Sequence, residues 1–136
     1  MLVISLVLVG LVGCSPHSLE DYQYEGEAQA RALVKELKKI HTREELSSAL
    51  PKLKKQFHQF VQLMIQAKEF QLKHPEYEEV DPAYFDHTYT EALKTELVRV
   101  CKLEGGREMI EKAQREALIQ LDGFDKALRK KRTQQK

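Results

Sequence analysis

Leu46, Leu50, Leu53, Phe57, Phe60, Met64 and Ala67 follow one another at alternating spacings of four and three. That period places all of them on one stripe of an α-helix and on no single face of a β-strand, so the stripe must be covered by other helices. Val61 and Ile65 broaden it. Thr42 offers an N-cap, and Glu45 stands at the capping-box spacing, where each side chain takes up the other's free backbone N–H. Pro51 lies inside the pattern and removes one backbone hydrogen bond, which predicts a kink or a short separate turn over 43–50. His74-Pro75 predicts the end of the helix, because a residue before proline avoids the helical region.

Three further segments carry helical period and none carries strand alternation. Residues 27–40 place Ala30, Leu33, Leu37 and Ile40 on one face. Residues 87–103 do the same with Tyr89, Leu93, Leu97, Val100 and Cys101, and 107–131 with Ile110, Ala113, Ala117, Leu121, Phe124 and Leu128. Gly105-Gly106 between the last two either ends a helix or kinks it. In a chain of 136 residues, four apolar stripes predict one all-α domain over 27–131, a three- to four-helix antiparallel bundle. The segment 74–86, with two prolines, reads as a connection longer than the two to eight residues usual between bundle helices.

Ahead of the bundle, residues 1–13 are almost wholly apolar and stop at Cys14. A helix of that length spans roughly 20 Å, short of the roughly 30 Å hydrocarbon core of a bilayer. Such a run followed by small residues is the pattern of a secretory signal segment. An uncleaved membrane helix or a core helix is the alternative, and Pro16 with the polar Ser15, His17 and Ser18 speaks against both. The first charged residue is Glu20, so the segment lacks the positive stretch that opens such signals.

Leu11-Val12-Gly13-Cys14 resembles the lipobox of bacterial lipoprotein precursors. The resemblance covers only the first fifteen residues and implies cleavage between Gly13 and Cys14, a diacylglyceryl group on the Cys14 thiol and further acylation of the freed amine. Burial of acyl chains stabilises the membrane-bound state by about 0.8 kcal/mol per CH₂, so two or three chains hold firmly. Ser15, standing where an Asp would direct retention, implies the outer membrane, facing the periplasm. Residues 14–26 lack periodicity and read as a short lipidated tether.

The net charge of +1 excludes a global field that would draw the chain to nucleic acid. Its distribution is uneven: Lys126, Arg129, Lys130, Lys131, Arg132 and Lys136 occur with no acid among them, leaving the rest of the chain acidic. This basic end, with 132–136 as a tail, suits a helix C-terminus and also contact with anionic lipid or an acidic partner. Two cysteines are too few for a disulfide framework. With Cys14 alkylated, Cys101 is a free thiol whose apolar company predicts a core position.

Catalytic signatures are missing: no nucleophile elbow, no glycine-rich phosphate loop and no zinc spacing among the five histidines. Met64 and His58 do not pair as haem ligands on one stripe. The predicted protein is therefore not an enzyme, needs no cofactor, and serves as a structural or interaction module whose partners are membrane lipid and an envelope protein. The alternative is a ligand- or metal-binding bundle using the 74–87 loop. There His74, Glu78, Asp81 and His87, with Glu76, Glu79 and Asp86 nearby, supply carboxylates and imidazoles without EF-hand spacing.

Overall fold

The computed structural model describes residues 16–77 and 88–135. Four helices build it: α1 (Leu19–Lys38), α2 (Arg43–Lys73), α3 (Thr88–Cys101) and α4 (Gly106–Gln134), with a 3₁₀ turn at Pro75–Tyr77. No strand occurs among the described residues, and the all-α bundle expected from the apolar stripes is the fold.

The helices pair as two antiparallel hairpins. Lys52 Nζ meets Glu36 Oε2 at 2.7 Å, and at the other end the rings of Tyr22 and Phe70 lie 5.4 Å apart, so α1 and α2 run in opposite directions. The hairpins then stack side by side. Lys54 Nζ reaches Glu116 Oε1 at 2.9 Å and Gln62 Nε2 donates to Gln120 Oε1 at 2.7 Å, which sets α4 parallel to α2. On the opposite side α3 packs along α1 and, more lightly, against α4. Going round the bundle the order is α1, α2, α4, α3, so the end of α2 and the start of α3 belong to diagonal helices. A two- to eight-residue loop suits adjacent antiparallel helices rather than diagonal ones, which accounts for the length of the connecting segment.

Leu33, Leu37, Ile40, Leu46, Leu53 and Val100 are fully buried where the four helices meet. Each is worth roughly 1.5 to 3 kcal/mol relative to exposure. Phe57, Val61, Ile110, Ala113 and Ala117 extend the same core, and the small alanines let α4 approach α2 closely.

Several boundaries differ from the sequence expectation. The first helix begins at Leu19 rather than at 27, so residues 19–26 of the expected tether are two turns of α1. Ser18 is extended (φ −139°, ψ 165°) and caps the helix: Asp21 N–H donates to Ser18 Oγ at 3.1 Å, and Ser18 N–H donates back to Asp21 Oδ2 at 3.2 Å. This is the reciprocal capping box. At Thr42 only half of the box forms, because Glu45 N–H donates to Thr42 Oγ1 at 3.1 Å but the Glu45 carboxylate accepts from His41 N–H, at 2.6 Å. Residues 43–50 are not a separate turn; α2 runs through Pro51 as one helix, with the ring exposed. The last helix continues through most of the expected tail, to Gln134.

Gly105-Gly106 forms a turn between two helices. Gly105 is left-handed (φ 68°), and a Cβ on Gly106 would run into the carbonyl oxygen of Val100. Met64, expected on the buried seam, is 45% exposed. It stands about 30 Å along α2, whereas α3, whose C-terminal end lies where α2 begins, is only about 20 Å long. The fourth wall stops short of Met64, and Leu63 is buried instead, with its Cδ2 within van der Waals reach of a Cβ built on Gly26 of α1.

Candidate functional site

The expected lipidation and cleavage residues, Cys14 and Gly13, lie outside the described residues. What the structure places is the start of the domain behind them. His17 N–H and Ser18 N–H both donate to Asp21 Oδ2, at 2.9 and 3.2 Å, and these bonds, the one from His17 foremost, hold the Asp21 carboxyl below its usual range. Leu19 is buried at once. A capped helix therefore begins at Leu19, five residues after Cys14. Tyr22 packs on Phe70, and Phe70 lies 4.4 Å from the His74 ring, so this end of α1 is bound to the end of α2 by aromatic contact.

The other chain terminus reaches the same end of the bundle. Starting from the Gln62–Gln120 bond, α2 continues for about 16 Å, so the C-terminal part of the parallel α4, with residues 129–132 about 14 to 18 Å on, stands level with the end of α2. It carries Arg129, Lys130, Lys131 and Arg132, all exposed. At 100° per residue, four consecutive bases surround the helix rather than line one face. Lys126 is paired with Asp122 at 2.8 Å, while these four make no ion pair among the described residues. Thr133 Oγ1, 2.9 Å from the Arg129 carbonyl and 3.0 Å from that of Lys130, donates back to the terminal turn.

The expected metal constellation is only partly described. His74 Nδ1 lies 3.1 Å from Glu76 Oε1, and Glu76 is held below the usual carboxylate range by its own backbone N–H first and by His74 next. Glu78, Asp81 and His87, with Glu79 and Asp86, fall outside the described residues. Among the described residues no three His, Cys, Asp or Glu side chains gather in a way that could hold a metal ion.

Cys101 is half-buried rather than sealed in the core. It lines an open cleft of about 620 Å³ along α3, with Leu93, Leu97 and Val98 beside it and Arg107 across from it. Burial pushes the thiol up, and Arg107 offsets this only in part while Glu111 adds to it. A thiol kept protonated is a poor nucleophile, and the cleft offers apolar surface without an activated group.

Neither the Ser18–Asp21 box nor the basic end beside it was assigned a place by periodicity. The first had a signal, Ser followed three residues later by Asp, but the apolar positions behind it are sparse and the segment reads as a loop. The second needed the helix packing order, which stripes do not encode. No described helix is long and apolar enough to cross a membrane. The chain matches no known family, no curated protein and no solved structure.

Proposed function

We propose that the protein is a lipid-anchored helical module of the bacterial cell envelope, exported through residues 1–13, cleaved before Cys14 and held in the membrane by acyl chains on that cysteine. The observation that carries this reading is the run Leu11-Val12-Gly13-Cys14 placed four residues ahead of the capped first turn of a compact bundle. A signal that is removed leaves such a fold intact, since the first described core residue is Leu19. The module is structural or adaptor-like and non-catalytic, with an outer-membrane address facing the periplasm. Its Cys101 thiol, pushed up by burial, favours binding over chemistry.

Growth of an expressing bacterium on a tagged fatty acid tests the reading. Label is expected on the wild-type chain and none on Cys14→Ala. Equal labelling of both, or of neither, would overturn it.

A further inference from the structure

We propose that the basic end of α4, Arg129, Lys130, Lys131 and Arg132, docks on anionic phospholipid headgroups of the leaflet that holds Cys14, standing the bundle end-on against the membrane. The inference rests on the lipid anchor proposed above and on a juxtaposition the fold creates. Residues 15–18 are all that separate the anchoring cysteine from α1, and the five steps from Cys14 to Leu19 span at most about 18 Å. The anchored end of the bundle is therefore held at the headgroups, and α4 delivers residues 129–132 to that same end, level with the end of α2.

Charge decides what this end meets. A helix C-terminus carries about half a negative charge, whereas four full positive charges surround this one without an ion pair among the described residues. Dipole compensation would leave most of them unused. Glu20, Asp21 and Glu76 also lie at this end, but Asp21 is committed to two backbone N–H groups and Glu76 faces His74 at 3.1 Å, which leaves the four bases as the larger exposed charge there among the described residues. An anionic surface holds basic groups within a Debye length, about 8 Å at physiological ionic strength. Each base so placed improves partition roughly fivefold.

The test uses the full-length lipidated protein in vesicles of phosphatidylcholine alone or with phosphatidylglycerol. A dye on Gln135→Cys, in a Cys101→Ala background, is read by headgroup-bound quencher, and vesicle flotation is followed in parallel. Quenching is expected to be strong with phosphatidylglycerol and to fall severalfold in phosphatidylcholine, in high salt, and when Arg129, Lys130, Lys131 and Arg132 are replaced by Gln. Flotation is expected throughout. Flotation with quenching indifferent to lipid, salt and substitution would overturn the docking while leaving the anchor intact, and would turn attention to an acidic protein partner. Failure of every form to float would overturn the anchor and the docking with it.

Discussion

Arg99 of α3 donates from Nη2 to the carbonyl of Leu37 and from Nη1 to that of Ile40, both at 2.8 Å, while its Nε is held by Glu96 at 2.8 Å. The Leu37 carbonyl in the last turn of α1 also accepts the Ile40 N–H at 3.0 Å, and the Ile40 carbonyl lies just past the helix, so a planar fork from a neighbouring helix closes the C-terminal end of α1. Arg99 thereby fixes α3 parallel to α1 and sets the order of helices round the bundle. Arg99→Ala is expected to cost about 2 kcal/mol in denaturant unfolding, as for hydrogen bonds to a charged group. Arg99→Lys should recover less than half, because a single ammonium cannot reproduce the fork. A cost below about 0.5 kcal/mol would mean that water serves those carbonyls equally well.

Phe57 and Met64 sit seven residues apart on one stripe, yet their exposures are 6% and 45%. Phe57→Ala should destabilise by roughly 3 to 5 kcal/mol and Met64→Ala by less than about 1. Similar losses at both would show that the bundle is closed at the level of Met64.

Glu36 accepts a hydrogen bond from Lys52 at 2.7 Å with Lys39 3.5 Å away, and its side chain is only 14% exposed. The Lys52 bond, more than the charge of Lys39, holds the carboxyl below its ordinary value of 4.5. A depressed carboxyl stabilises the fold fully above that value and loses its contribution as pH falls below it, through the lower folded value. Denaturant midpoints taken between about pH 6 and pH 3 should therefore drop less in Glu36→Gln than in wild type. Parallel curves would contradict the assignment.

The two glycines between α3 and α4 differ in kind. At Gly105 the demand is a left-handed backbone, and at Gly106 it is space against Val100. Gly105→Ala should cost about 1 to 2 kcal/mol. Gly106→Ala should cost more, about 3 kcal/mol, because backbone must move to admit the methyl group. Thermal unfolding of the pair checks the order.

Much of the bundle was legible because burial has a period. Ala30, Leu33, Leu37, Leu46, Leu53, Phe57, Val100, Ile110, Ala113 and Ala117 repeat at helical spacing and are buried. Leu121, Phe124 and Leu128 repeat equally well but are only partly covered, since a stripe tells which face seeks cover and not how much arrives. The start of α1 stayed hidden because residues 19–26 hold Glu20, Asp21, Gln23 and Glu25 among few apolar side chains, and its cap rather than its period makes it helical. Packing order was out of reach for another reason: Arg99 reads as a surface charge until the carbonyls it serves are in place. For the same reason, the basic tail and the start of α1 read as opposite ends of a chain until the parallel pairing of α2 and α4 brings them to one end of the fold.

Anchoring by Cys14 is the claim on which the rest depends, and intact mass with membrane fractionation tests it most directly. Wild type and Cys14→Ala would be expressed side by side in a bacterium. The wild-type chain should lose residues 1–13, gain the mass of two or three acyl chains and sediment with the membrane, while the variant keeps its N-terminal segment and gains no acyl mass. A wild-type chain that retains Met1, carries no acyl mass and stays out of the membrane fraction would contradict the anchor.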